Sequence, residues 1–203
     1  MKMIFPETQT ERENYKLLIG SIIPRPIALI TTLSREGVLN AAPFSYFNIV
    51  TADPPMISVS IQRKNGAYKD TARNMIQSGE FVVHIADEDY LEAMNKTAAS
   101  LPPDASEADF ANLKQVKSEK IRVPGIAEAK IRMECVLEHA VTLGGAASSP
   151  ACDLMIGKVV CFHIADELYE DGRIDAGKLR PISRLAGSDY AALGEIFAMQ
   201  RPD

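Results

Sequence analysis

The chain has 203 residues, 46% of them hydrophobic and 24% charged, with a formal net charge of -5. That length supports one domain over residues 1–203 with a core large enough to fold without staples, and the balance is globular rather than disordered. The acidic excess argues against a general nucleic-acid binder.

Thr8 to Ile19 reads as a short helix with Tyr15, Leu18 and Ile19 inward. Pro24-Arg25-Pro26 forces an extended segment, because proline fixes φ and restrains the residue before it. Ile27 to Leu33 follows as a strand, Ser34-Arg35-Glu36-Gly37 as a hairpin turn, and Val38 to Ala42 as the returning strand, interrupted by Pro43. The stretch Asn40-Ala-Ala-Pro-Phe-Ser-Tyr-Phe-Asn48 is unusual for a strand, with small residues, a proline and clustered aromatics. It reads either as a barrel corner plugged by aromatics or as a loop whose backbone lies against a flat ring.

After Asp53-Pro54-Pro55 the chain alternates at period two from Met56 to Ile61, a strand. Asn65-Gly66 is a turn pair. A helix then starts with Asp70 or Thr71 as N-cap and stops at Gly79, with Ala72, Met75 and Ile76 as its inner face. Lys69 and Arg73 lie four apart and share another face near its start. Free N–H groups at the helix start, the Thr71 hydroxyl, Lys69 and the upstream Arg63 and Lys64 make a candidate phosphate cradle. The alternative is a solvated basic helix start.

Glu80 to Ala86 is a strand with Phe81, Val83 and Ile85 on one face and Val82, His84 and Ala86 on the other; a lone histidine there reads as structural. Asp87 caps a helix carrying Tyr90, Leu91 and Met94 that ends near Ser100. Pro102-Pro103 opens a polar loop, and Ser106-x-x-Asp109 is a capping box for a short helix through Leu113. Residues 115–128 have little pattern and read as a surface excursion. Ile131 to Leu143 is the clearest strand, a loop spans Gly144 to Asp153, and Leu154 to Ala165 is a second long strand that pairs with the first. Gly157 in it marks a bulge or a close backbone approach. Asp171-Gly172 is a turn, and Leu179 to Tyr190 is a loop-like tail.

Cys135, Cys152 and Cys161 form no Cys-x-x-Cys pair, and His84, His139 and His163 have no metal-ligand spacing, so neither a disulfide framework nor a metal site is expected. No secretory h-region opens the chain and no apolar run is long enough to cross a bilayer, so a reduced cytoplasmic setting without membrane contact is expected. Antiparallel strands with a few helices in the connections indicate a mainly β chain, a closed or partly closed β-barrel with peripheral helices. There is no βαβ alternation, no Gly-x-Gly-x-x-Gly, no P-loop and no Gly-x-Ser-x-Gly.

Four stretches taken in order carry a family likeness: Pro24-Arg-Pro-Ile-Ala-Leu-Ile-Thr-Thr32; Asn40 to Asn48; Ser58-Val-Ser-Ile61 with Lys69-Asp-Thr-Ala-Arg-Asn74; and Leu179-Arg-Pro-Ile-Ser-Arg-Leu-Ala-Gly-Ser-Asp-Tyr190. The chain resembles the flavin reductase-like family of FMN-binding split β-barrel proteins, which includes flavoredoxins and the small reductase components of two-component monooxygenases. The resemblance implies a Greek-key split barrel, a homodimer, and FMN near the subunit interface. It implies that Lys69, Asp70, Thr71 and Asn74 meet the phosphate. Ser60 and Arg63 approach the phosphate or ribityl chain from the strand end. Ser45, Tyr46, Phe47 and Asn48 follow the isoalloxazine, and the segment with Arg184, Gly187 and Tyr190 closes over it. Many members carry a Gly-Asp-His loop before the late strand; here that region reads Ser-Ser-Pro-Ala-Cys152-Asp153.

The implied activity is an NAD(P)H:flavin oxidoreductase, with NAD(P)H as co-substrate and hydride passing to flavin N5. A flavin brings its own hydride acceptor, so the lack of a catalytic triad counts against a hydrolase and not against such an enzyme. A monooxygenase or other redox partner is the implied acceptor. The alternatives are a flavoredoxin-like electron carrier with bound FMN and no nicotinamide activity, or a flavin-binding module with a structural or storage role.

Overall fold

The computed structural model of the chain describes residues 1–202. Helix α1 (Glu11–Ser21) leads to β1 (Arg25–Pro26), β2 (Ala28–Leu33), β3 (Leu39–Phe44), β4 (Phe47–Ala52) and β5 (Pro55–Gln62). Then come α2 (Asp70–Ser78), β6 (Glu80–Ile85), the short helices α3 (Leu91–Lys96) and α4 (Glu107–Phe110), and the two-residue strands β7 (Gln115–Val116) and β8 (Gly125–Ile126). The long strands β9 (Ile131–Ala146) and β10 (Ser149–Ile164) follow. The chain finishes with β11 (Tyr169–Glu170), β12 (Arg173–Ile174), α5 (Ala176–Leu179), β13 (Ile182–Arg184) and β14 (Tyr190–Ala192). Among the described residues no helix is long and apolar enough to cross a membrane.

Seven strands pair antiparallel in the order β3-β2-β6-β9-β10-β5-β4. The two end strands, β3 and β4, are consecutive in the chain and separated only by Ser45 and Tyr46. The sheet therefore rolls until its edges come together at that corner, yet β3 and β4 pair with β2 and β5 rather than with each other. The result is a split barrel, mainly β, with Greek-key connections in place of a simple meander. β3 runs through Pro43 to Phe44 instead of stopping at Ala42, because an end strand needs no outward N–H for a ladder.

The barrel interior is apolar. Val59 and Ile61 of β5, Phe81 and Val83 of β6, Cys135 of β9 and Met155 of β10 are buried against Ala72 and Met75 of α2. The opposite face of β6 presents Val82 to a second layer containing Tyr90, Met94, Val123 and Ile126. Residues 115–128 are therefore not the surface excursion expected: Val123 and Ile126 are wholly buried, and β7 pairs with β8. Gly157 lies at a register shift in β10, and a Cβ built there would stand 2.3 Å from Phe81 Cζ. Gly157→Ala should therefore displace Phe81 and destabilise the protein by roughly 1–3 kcal/mol as overpacked cores do. A lower urea midpoint at unchanged slope checks this; an unchanged midpoint contradicts it.

Other boundaries differ for local reasons. α1 begins at Glu11 under a Thr10–Glu13 capping box, and only its Ile19 is buried; Tyr15 and Leu18, expected inward, are exposed. α2 has Lys69, not Asp70 or Thr71, as N-cap. It stops at Gly79 as expected, with a left-handed φ of 72°. Its inner face is Thr71, Ala72, Asn74 and Met75, while Ile76 is exposed. Asp87 caps a 3-10 turn over Glu88–Tyr90, and the helix that follows, α3, ends at Lys96, short of Ser100. The one capped by Ser106 ends at Phe110, with Asn112 at a left-handed φ of 56°. The expected loop from Gly144 to Asp153 is a tight hairpin. Gly144 and Gly145 take positive φ, and a Cβ at Gly145 would lie 2.3 Å from the Ser149 carbonyl, so glycine lets the strands continue to the tip.

Candidate functional site

The Ser45–Tyr46 corner, Ser60 and Gln62 of β5, Lys69 at the start of α2, Met94 and Asn95 of α3, and the β13–β14 hairpin enclose a cleft of about 320 Å³. That size falls within the range of small-molecule and cofactor sites, roughly 300–1,000 Å³. Local pairing explains the convergence. Ser60 N–H donates to the Tyr46 carbonyl at 2.8 Å and fixes the corner against β5. β1 pairs with β13 and β13 with β14, so the C-terminal hairpin is laid along Arg25–Pro26.

Arg25 locks this arrangement. Its Nη1 donates to the carbonyls of Ile19 and Ile22 at 2.8 and 2.5 Å, and its Nη2 donates to the Leu185 carbonyl at 2.8 Å. One buried guanidinium thus satisfies carbonyls near the end of α1 and ties them to the hairpin. In the sequence Arg25 is marked only by its place between two prolines, because its carbonyl partners come together only in the folded chain.

Lys69 lines the cleft with its Nζ 6.0 Å from the Phe44 ring centroid. Burial, with Lys64 nearby, pushes its amine below the ordinary lysine range. The α2 N-terminus has no side-chain cap, so its first N–H groups are available to an anion, and the helix dipole adds to the lysine charge. Ser45, Tyr46 and Ser60 line the same cleft, and burial raises the Tyr46 phenol above its ordinary range.

The other residues expected to meet a phosphate lie elsewhere. Arg63 forms a bidentate pair with Asp153, Nε to Oδ2 at 2.8 Å and Nη2 to Oδ1 at 2.7 Å, and its guanidinium lies 3.8 Å over the Tyr68 ring. Asp70 pairs with Arg73 on the helix surface. Thr71 is buried and donates to Asn40 Oδ1 at 2.8 Å; Asn74 is buried and donates to Thr32 Oγ1 at 3.1 Å. Phe47 and Asn48 face an adjoining groove with Leu18, Ile22 and Pro24 rather than the main cleft. Periodicity could place Thr71 and Asn74 on α2, but not decide which side of α2 the barrel would cover.

Arg184, Gly187 and Tyr190 do meet at the cleft. The Arg184 guanidinium sits 4.4 Å over the Tyr190 ring and donates to the Gly187 carbonyl. Gly187 has a left-handed φ of 60° that favours glycine. Tyr190 Oη donates to Asn95 Oδ1 at 2.9 Å and pins the hairpin to α3. Tyr15, Gln62, Met94 and Asn95 also line the cleft and carried no motif that would have marked them.

A second polar convergence, Glu134, Cys161 and His163, lies outside the cleft. Glu134 accepts from the Glu119 and Lys120 N–H groups at 2.7 Å each, and His163 Nε2 lies 2.6 Å from Oε1. Burial raises this carboxyl, but those hydrogen bonds outweigh it and hold it below the usual range. Both oxygens are committed, so the group fastens residues 119–120 to the long hairpin.

Comparison with known proteins shows the family and the fold. The model of the flavin reductase like domain matches residues 19–180. The crystal structure of nitrilotriacetate monooxygenase component B from Bacillus cereus is similar at 63% identity and TM-score 0.97, covering 98% of each chain. The Pseudomonas fluorescens 2-nitrobenzoate 2-nitroreductase NbaA is similar at 30% identity and TM-score 0.89, covering 99% of this chain and 96% of that one. The uncharacterized protein BH2278 of Halalkalibacterium halodurans is 50% identical over 198 residues, 97% of this chain and 95% of its own.

Proposed function

Because the chain belongs to the flavin reductase-like family, and is thereby a flavin-related oxidoreductase, we propose that it is an NAD(P)H-dependent reductase of bound FMN. The observation that carries this reading is the cleft itself. A lysine and an uncapped helix start stand at one end, a polar corner along one side, and a pinned aromatic and arginine hairpin across from it. FMN, when bound, supplies the hydride acceptor at N5. Lys69 and the first N–H groups of α2 bind its phosphate. Ser45, Tyr46 and Ser60 orient its ring and ribityl chain. Arg184, Gly187 and Tyr190 shape the remaining face, where the nicotinamide stacks, and Arg184 binds the phosphates of the nucleotide. Holding the two reactants in near-attack geometry is the main catalytic contribution of such a site, worth roughly 7–11 kcal/mol where alignment is good.

The likeness to a monooxygenase component supports a separate oxygenase or other redox protein as the final acceptor. Three free cysteines, among them the buried Cys135, suit a reducing cytoplasm. Consumption of NADH or NADPH by the purified protein, stimulated by added FMN, tests the activity; no consumption of either nucleotide at any FMN concentration overturns it.

We also propose a homodimer. Leu18 of α1 and Ile22 just after it are exposed, the groove beside them is lined by Pro24 and Phe47, and Ile49 and Val50 of β4 are exposed. Apolar surface of this extent next to a binding cleft suits a protein partner. Light scattering should give twice the chain mass of 22.2 kDa; a monomer that binds flavin to full occupancy contradicts this.

A further inference from the structure

We propose that Glu107 is a positioning residue for the anion end of the cleft, acting through Asn40 and Thr71 on the start of α2. The proposal rests on the FMN reading. Five buried polar side chains from four elements form one chain of hydrogen bonds: Thr32, Asn40, Thr71, Asn74 and Glu107. Asn74 Nδ2 donates to Thr32 Oγ1 at 3.1 Å, and Thr32 Oγ1 donates to Asn40 Oδ1 at 3.3 Å. Thr71 Oγ1 donates to the same Asn40 oxygen at 2.8 Å. Asn40 Nδ2 then donates to Glu107 Oε2 at 3.0 Å, and that oxygen also accepts from the Ala41 N–H at 3.2 Å.

Every donor in this chain leads to Glu107, the only member that can accept without donating. The carboxylate therefore sets the orientation of the Asn40 amide. With Nδ2 turned to Glu107, Oδ1 must face Thr71. Thr71 is the second residue of α2, two positions after Lys69, so the network fixes the helix turn that presents both the lysine and the free N–H groups. Ala41 belongs to an end strand of the sheet, and Glu107 is the acceptor of its outward N–H.

The negative charge is not what the site uses. Burial raises the Glu107 carboxyl, and its hydrogen bonds from Ala41 and Asn40 only partly offset that. An anion nearby would be repelled by it. Geometry is the contribution, and Glu107→Gln retains it, because one amide oxygen can take both bonds that Oε2 accepts. Glu107→Ala and Asn40→Ser each break the relay and leave Thr71 and Lys69 in the sequence.

Fluorescence titration of the full-length protein with FMN and with riboflavin tests this. Wild type should prefer FMN. Glu107→Ala and Asn40→Ser should each lower the FMN-to-riboflavin affinity ratio by about tenfold, the scale of one charged hydrogen bond, with riboflavin affinity held within about twofold. Glu107→Gln should match or exceed the wild-type ratio. If Glu107→Ala does not fold, Asn40→Ser carries the test. An unchanged ratio in the relay variants, or equal losses for both ligands, overturns the positioning role. A wild type with no preference for FMN overturns the phosphate reading instead, and this proposal with it.

Discussion

Replacing Lys69 by alanine is expected to weaken FMN binding about ten- to a hundredfold while leaving riboflavin binding nearly unchanged. Lys69 is exposed as a residue but lines the cleft, where local desolvation, with Lys64 nearby, pushes its amine below the usual lysine range. A lysine on the cleft wall offers a phosphate a charge-assisted hydrogen bond, and the uncapped start of α2 adds N–H donors at the same end. A charged hydrogen bond is worth roughly 1.5–3 kcal/mol, which gives the one to two decades expected. Riboflavin lacks the phosphate and so reports only the rest of the site. Arg63→Ala should behave differently. Its guanidinium is engaged by Asp153 and Tyr68, so its loss should lower stability and both affinities together. Equal losses of FMN and riboflavin in Lys69→Ala would show that the lysine supports the fold rather than the phosphate.

Acidification should destabilise the protein through His84, by about 2 kcal/mol between pH 7 and pH 5. His84 is wholly buried; Nδ1 lies 2.9 Å from the Leu29 carbonyl, and Nε2 accepts from the Ile126 N–H at 2.8 Å. The neutral ring with its proton on Nδ1 satisfies both partners, whereas a second proton would face an N–H. Burial pushes the pKa from 6.5 down to about 4, against the pull of the Leu29 carbonyl and with Arg132 adding to it. Between those values the unfolded chain holds a proton that the folded one refuses. The stabilisation is therefore complete above pH 6.5 and is lost as the pH falls towards about 4. Asp87 and Glu107, raised by burial, act in the opposite sense. The readout is therefore the difference between wild type and His84→Gln in urea unfolding across that range. A flatter slope in His84→Gln is expected; the same slope would assign the acid sensitivity to other groups.

The barrel was legible because its signals are local. Period-two alternation marked β5, β6 and β9, Gly79 marked the end of α2, and Gly157 marked the close approach of Phe81. The end of α4 was less legible because Asn112, just beyond it, takes a left-handed conformation that no periodicity reveals. The hairpin tip was misjudged because consecutive glycines suggest a loop, although here they permit the strands to continue. In the site, Ser45, Tyr46, Ser60, Lys69 and the Arg184–Tyr190 hairpin meet at the cleft, while Thr71 and Asn74 turn into the interior. The interior partners of those two side chains are Asn40 and Thr32, and Asn40 in turn bonds Glu107, 67 residues further along the chain. Arg25 is a similar case, since its value lies in carbonyls from α1 and from Leu185 that only the folded chain brings together.

The most direct test of the account is anaerobic stopped-flow observation of the protein with bound FMN, followed at about 450 nm, where hydride arrival removes the flavin absorbance. Mixing with NADH or NADPH should bleach the band. Arg184→Ala should slow bleaching at low nucleotide concentration without lowering FMN occupancy. Retention of the band with both nucleotides, under conditions where dithionite bleaches it, would contradict the reductase function and leave an electron carrier in its place.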